Sequence, residues 1–185
     1  MPLISWGPDD LIRRLDDVLG VYGAAMSYPA DLILTRRTFV AGHTRRPGFR
    51  AVATVDDNDG TLLGFGYGYQ SSPGQWWHEQ VKGALSQPDY TGWLGDCFEL
   101  VELHVAPGAQ GHGTGYQQLT ALLSGLPQRT VLLSTPEVPR EASRAWRLYR
   151  RVGFRDVLRD FHFPGDERPF AVLGRTLPLE LSSEV

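Results

Sequence analysis

Apolar positions along the chain switch repeatedly between helical and strand spacing. Leu11, Ile12, Leu15, Val18, Leu19 and Tyr22 recur at helical intervals behind Gly-Pro-Asp-Asp, which predicts an amphipathic helix. Pro29 opens a second helix with Asp31 early, Arg36 and Arg37 late and Gly42 as its stop, a charge order that suits the helix dipole. Residues 51–55 and 61–69 read as strands around Asp57-Asn58-Asp59-Gly60, and Asp-Gly between apolar runs signals a hairpin. From 71 to 96 the pattern dissolves into Ser-Ser-Pro-Gly and a run of aromatics, with one short helix near 79–85. It then resumes as a strand over 98–105, a helix over 114–124, a buried strand over 130–135 and a helix over 141–152 that Gly153 ends. Residues 154–163 and 170–177, parted by Pro-Gly-Asp-Glu-Arg-Pro, form a closing antiparallel pair. The order predicts an α+β sandwich in which helices flank a mixed, mostly antiparallel central sheet. A length of 185 residues suits one domain, with a helical part at 1–49, a core at 98–154, a strand pair at 155–178 and a frayed tail at 181–185.

The most telling stretch runs from His104 through Val105-Ala-Pro-Gly-Ala to Gln110-Gly-His-Gly-Thr-Gly115, where an apolar strand turns through glycines into a helix. Glycines at 111, 113 and 115 allow backbone N–H groups to converge, and the helix brings its positive end to the same place. Gln110, Gly111, His112, Gly113, Thr114 and Gly115 therefore form a candidate cradle for an anionic, pyrophosphate-bearing ligand. The stretch has neither the Gly-Lys-Ser/Thr of a Walker loop nor the G-x-G-x-x-G of a dinucleotide fingerprint.

Gln-x-x-Gly-x-Gly, preceded by Val105-x-Pro107 and followed by Leu148-Tyr149-Arg-Arg-Val-Gly153-Phe154, resembles the GNAT superfamily of acetyl-CoA-dependent N-acetyltransferases. The resemblance covers 98–154 well, 51–69 loosely and the rest of the chain hardly at all. It implies the GNAT-like fold, acetyl-CoA as cosubstrate, and direct attack of a primary amine on the thioester in a ternary complex. Main-chain groups of Leu103, His104 and Val105 would then pair with the pantetheine arm, the cradle would hold the pyrophosphate, and Tyr149 would protonate the leaving thiolate. Many members carry an Asn seven residues before that Tyr; here the position is Ala142, which leaves Ser143, with Trp146 beside it, as the cofactor contacts from that helix.

An ammonium must lose a proton before it attacks, so a base is also needed. Glu99 and Glu102 lie on the strand that leads to the cradle, and either is a candidate, as is His104 in the same role. Alternation puts Glu99 with Val101, Leu103 and Val105, and Glu102 with His104, although a bulge would swap part of this assignment and favour Glu102. A salt-bridged or edge-exposed carboxylate is the plain alternative for both.

Composition narrows the remaining choices. A net charge of -3 and a pI near 5.9 argue against nucleic-acid binding. No apolar run is long enough to span a membrane, and the N-terminus lacks a signal-peptide pattern, so a cytoplasmic protein is expected. Cys97 is the single cysteine, which excludes an internal disulfide, and His104 and His112 lack a compact third ligand, so no metal site is expected. Trp76, Trp77, Tyr90 and Trp93 suit either an acceptor pocket or an apolar plug, and Arg144, Arg147, Arg150 and Arg151 either reach phosphates or form a solvated helix face. The acidic strand and aromatic loop fit a small amine acceptor slightly better than a peptide. A protein or peptide acceptor, a non-catalytic acyl-CoA-binding module and a homodimer stay open.

Overall fold

The computed structural model describes residues 1–137 and 143–179; the predicted helix start at 141–142 and the tail at 181–185 lie outside the described residues. The chain begins with an edge strand that the apolar pattern does not reveal. β1 (Leu3–Trp6) runs antiparallel to β2 (Arg50–Val55), with Leu3 opposite Thr54 and Trp6 opposite Ala51. Its side chains are mostly exposed, so no alternation marks it. Pro8 then starts α1 (Pro8–Arg13), and the Gly7 amide donates to Asp10 Oδ2 at 2.8 Å. The single helix predicted here breaks at Arg14 and resumes as α2 (Leu15–Met26), while α3 (Ala30–His43) begins after Pro29 and runs through Gly42 instead of stopping there.

β2 continues through a tight turn into β3 (Leu62–Gln70), with Gly60 at φ +71 and the Asp56 amide donating to the Thr61 carbonyl at 2.9 Å. The aromatic stretch folds as α4 (Trp76–Ala84), which starts earlier than predicted, then α5 (Gln87–Asp89) and a π turn at Tyr90–Leu94. β4 (Cys97–Val105), a 3-10 turn at Pro107–Ala109, α6 (Thr114–Leu123) and β5 (Thr130–Pro136) follow. α7 (Arg144–Arg151), β6 (Arg155–Phe161) and β7 (Phe170–Thr176) complete the described chain. The strands make one seven-stranded sheet in the order β1-β2-β3-β4-β5-β7-β6. β4 and β5 are parallel, and β1–β2, β2–β3, β5–β7 and β6–β7 are antiparallel, which gives the mixed, helix-flanked α+β sheet expected.

The chain forms two compact units, Met1–Tyr69 with Leu100–Ser124 and Gln70–Glu99 with Gly125–Val185. In the first, Leu11, Val18, Leu19 and Tyr22 of the helices bury against Ala51, Ala53, Phe65 and Tyr67 of the strands. Burying such side chains stabilises the fold by roughly 1.5–3 kcal/mol each. Gly64 and Gly66 on the opposite side of β3 are required by close approach: a Cβ at Gly64 would lie 2.8 Å from the His104 carbonyl oxygen, and one at Gly66 2.8 Å from Leu103 Cδ1. In the second unit Trp77, Val81, Leu94, Cys97, Leu132, Phe163 and Val172 form the core.

Candidate active site

β4 does not alternate strictly. Its outer backbone bonds to β3 join Ala106 N–H to the Leu63 carbonyl and Ser71 N–H to the Cys97 carbonyl, so nine steps along one strand match eight along the other. One residue is extra, as in a β-bulge. Val101 accordingly packs against the first unit's core, and His104, three residues on, meets Tyr22 and Phe65 of that same core. Strict period two would have sent Val101 and His104 to opposite faces, so the bulge corrects the face assignments read from alternation.

The consequence is a polar cluster at the far half of β4. His104 Nε2 lies 2.6 Å from Glu102 Oε2, and both side chains are nearly buried, at 12% and 11% exposure. Arg36 of α3 reaches in, with Nη2 3.9 Å from Glu102 Oε1 and Nε donating to the Tyr22 hydroxyl at 3.0 Å. The Arg36 guanidinium also stacks 5.3 Å from the Tyr22 ring centroid. His43 Nδ1 and the Tyr67 hydroxyl are 3.0 Å apart, and the His43 ring packs on Tyr69 at 5.3 Å.

These contacts set the charges. Burial pushes the Glu102 carboxyl up, but the hydrogen bond from His104 and the positive charge of Arg36 outweigh it and hold Glu102 below the usual carboxylate range. Glu102 is therefore ionised at neutral pH. Burial lowers His43 to about 4, so its ring is neutral, and burial together with Glu102 raises Tyr22. Arg36 is held above its ordinary value, because Glu102 and Tyr22 outweigh the cost of its burial. Sequence reading missed Arg36, His43, Tyr22 and Tyr67 as members of this cluster. The only signal for Arg36 was its place late in a helix, where the dipole alone accounts for a cation.

The cradle belongs to the same unit. Gly111 and Gly113 adopt φ +87 and +81, and Gly113 is the N-cap of α6 with no side chain occupying the cap position. A helix N-terminus of this kind suits an anion. Gln110 Nε2 donates to the Val105 carbonyl at 2.9 Å, which ties the turn back to the end of β4. Thr114 is buried, with Oγ1 3.4 Å from the Ala109 carbonyl, whereas His112 is exposed and Gly115 partly so. The backbone at Leu103, His104 and Val105 lies beyond the parallel ladder that joins Cys97, Phe98 and Glu99 to Thr130, Val131 and Leu132.

The other residues expected at the site fall in the second unit. Glu99 is 5% exposed. Tyr149 is buried on α7, its ring 5.7 Å from Phe154. Ser143 caps α7 by accepting from the Trp146 amide at 3.4 Å, and the Trp146 indole N–H donates to the Pro136 carbonyl at 2.8 Å. Trp146 is a packed residue flanked by Arg150 and Arg159. Ala142, the departure from the motif, lies outside the described residues. Trp77 serves as core, Tyr90 packs on buried His78, and Trp93 lies under Arg155, whereas Trp76 is exposed. Burial pushes the Cys97 thiol far up, so it is an inert core residue. Among the described residues no group of His, Cys, Asp and Glu could hold a metal, and no helix is long and apolar enough to cross a membrane.

No protein-family model matches the chain. It is 43% identical to the GCN5-like protein acetyltransferase Rv2170 of Mycobacterium tuberculosis, over 96% of this chain and 98% of that one. In fold it is similar to an acetyltransferase of the GNAT family from Bacillus cereus, at 15% identity, TM-score 0.60 and coverage of 95% of this chain and 96% of that one. It is also similar to Arabidopsis thaliana NAA60 in complex with acetyl-CoA, at 18% identity, TM-score 0.62 and coverage of 95% and 98%. With a bulged β4, a glycine cradle at the α6 N-terminus and a relative of this identity along nearly its whole length, the chain belongs to the GNAT family of GCN5-like acetyltransferases.

Proposed function

We propose that this protein transfers acetyl from acetyl-CoA to a primary amine by direct attack in a ternary complex, and that the amine is presented by a protein. The observation that supports this reading most directly is the Glu102–His104 pair at 2.6 Å, in the same compact unit as the α6 cradle. The cradle fits the cosubstrate's chemistry, because Gly111 and Gly113 hold positive φ and the first-turn amides of α6 have no side-chain cap. Gln110 to Gly115 would receive the pyrophosphate, with His112 free to lie over it, and the backbone of Leu103 to Val105 would pair with the pantetheine arm. Acetyl-CoA, when bound, supplies acetyl as a thioester, so the amine nitrogen forms a C–N bond as the C–S bond breaks and CoA leaves as a thiolate.

The chain's own residues move the protons. The Glu102–His104 pair takes one from the acceptor ammonium, and Tyr149 gives its hydroxyl proton to the thiolate and regains one as the new amide nitrogen sheds its surplus. Tyr149 holds this role by its place in Leu-Tyr-x-x-x-Gly-Phe. Of the two strand carboxylates Glu102 is the assigned one, since it pairs with His104 and Arg36. Ser143, whose hydroxyl keeps its own proton to donate while it accepts from the Trp146 amide, and Trp146 beside it would add contacts to the cofactor from the start of α7.

The name of the Mycobacterium relative moves the acceptor from the small amine expected on sequence toward an amine on a protein. CoA release from acetyl-CoA, followed with a panel of small amines and of lysine-bearing and free-N-terminal peptides, tests both parts. Amine-dependent release with peptides is the expected result. Release with small amines alone would return the acceptor to a metabolite, and CoA binding without amine-dependent release would leave a non-catalytic module.

A further inference from the structure

Leu34 and Phe39, both on α3, are the two most exposed large apolar side chains among the described residues, at 67% and 61%. At about 100° per residue, Asp31, Leu34, Thr38, Ala41 and Gly42 share the outer side of this helix. Arg45 continues that side in the turn that follows, where its amide donates to the Gly42 carbonyl at 3.3 Å. All of them are exposed except Ala41, which is half-buried. A Cβ added at Gly42 would meet nothing within 4 Å, so the helix surface is open there. Among the described residues neither Asp31 nor Arg45 has an ion pair, whereas Arg37 on the flank bonds Asp16. Arg36 and His43 point the other way, toward Glu102 and Tyr67.

Along this outer side the order is acidic, bulky, middle, small, basic, and the same order reversed is its complement. We propose that α3 is the contact between two copies of this chain, packed antiparallel about a two-fold axis at Thr38. Asp31 and Arg45 each stand seven residues from Thr38, so the axis sets Asp31 level with the partner's Arg45 and Arg45 level with the partner's Asp31. Leu34 comes level with the partner's Ala41 and Gly42, a large side chain against two small ones. The Phe39 rings of the two copies close one flank, and the Arg37 and Asp16 pair forms a polar rim on the other. Antiparallel packing also brings opposite helix dipole ends together. Equal spacing of opposite charges about one residue is what a self-complementary contact requires, and an unrelated partner would not require it. A single helix of 14 residues from each copy buries less than the roughly 1,200 Å² at which standard interfaces begin, so the dimer is reversible. Because the inner side of the same helix carries Arg36 to Glu102, pairing braces the element that completes that cluster.

Sedimentation velocity of the full-length protein at low salt, from about 1 to 300 μM, should show the average mass rising from one chain toward two. Leu34 is exposed, so L34E should keep the wild-type Tm yet remain a single chain throughout. D31R and R45D each set like charges together and should weaken the dimer about tenfold or more. The double variant D31R/R45D restores opposite charges in reverse and should recover the wild-type association. With helix axes about 8–10 Å apart and Cα atoms about 2.3 Å from each axis, the two residues at the two-fold have Cα atoms about 4–5 Å apart, within disulfide reach. T38C should therefore form a covalent dimer on mild oxidation, with Cys97 buried and out of play.

A wild-type protein that stays a single chain at the highest concentration would overturn the proposal and leave the face to a different protein. A dimer that L34E does not weaken, or one that the double charge exchange fails to recover, would place the contact elsewhere and overturn it equally. If L34E loses its fold, the charge exchange and the T38C cross-link decide the matter.

Discussion

Replacing Gly113 tests the cradle with a substitution whose cost to folding and cost to binding are separable. Gly113 is the N-cap of α6 at φ +81, and a Cβ added there would meet nothing within 4 Å. The penalty for Gly113→Ala is therefore backbone strain alone, about 1–2 kcal/mol for an L-residue in the left-handed region. Gly113→Asp carries the same strain but brings a carboxylate to a helix N-terminus, where a charge recovers about 0.3–1 kcal/mol. The aspartate variant should thus be as stable as the alanine variant or slightly more so when no ligand is present. Its response to CoA should be the opposite, since the added charge sits where the pyrophosphate would bind. For the wild type a hundredfold excess of CoA over Kd adds about 2.7 kcal/mol. In a protein of this length that is about 5–10 °C in Tm, at 2–4 °C per kcal/mol. Thermal unfolding with and without CoA should show this rise in the wild type, a reduced rise in Gly113→Ala and none in Gly113→Asp. An undiminished rise in Gly113→Asp would take the pyrophosphate away from this turn, and with it the role given to Gln110 through Gly115.

Two further outcomes follow from the site. Tyr149→Phe keeps the ring packed on Phe154 and should leave the CoA-induced Tm rise intact while lowering kcat by about 10²-fold or more; equal turnover where chemistry is rate-limiting would make Tyr149 a core residue only. His43, lowered to about 4, binds fewer protons folded than unfolded between that pH and about 6.5, so its contribution to stability is complete above about 6.5 and is lost as pH falls through about 4. His43→Gln, which can still bond the Tyr67 hydroxyl, should flatten this part of the stability curve by up to about 3 kcal/mol, read from urea midpoints across pH, and an unchanged slope would refute the assignment.

Those elements of the fold whose residues carry their own period were legible in the chain. α6 and β5 were predicted within a residue or two because one buries a helical stripe and the other is apolar throughout. The turn between β2 and β3 was readable from Asp-Gly alone. The elements that failed are those decided by something outside the local pattern. β1 is an edge strand with little to bury, so its pairing with β2 leaves no imprint on its composition. The break at Arg14 falls between Leu11 and Leu15, which both remain buried, so the stripe continues across it. Trp76 and Trp77 looked alike in the chain, yet Trp77 is core and Trp76 is 56% exposed, a difference set by where α4 starts.

The candidate site divides along the same line. The cradle could be read because its requirement is conformational: only glycine holds φ +87 and +81 at low cost, and that requirement is written in the residue type. The Glu102–His104 cluster could not, because its requirement is relational. Glu99, Glu102 and His104 all lie on one strand, and what separates them is a one-residue register shift against β3 and a guanidinium delivered from α3, some sixty residues earlier. Nothing local to Glu102 announces that Arg36 will hold it ionised, and nothing local to Arg36 distinguishes it from Arg37.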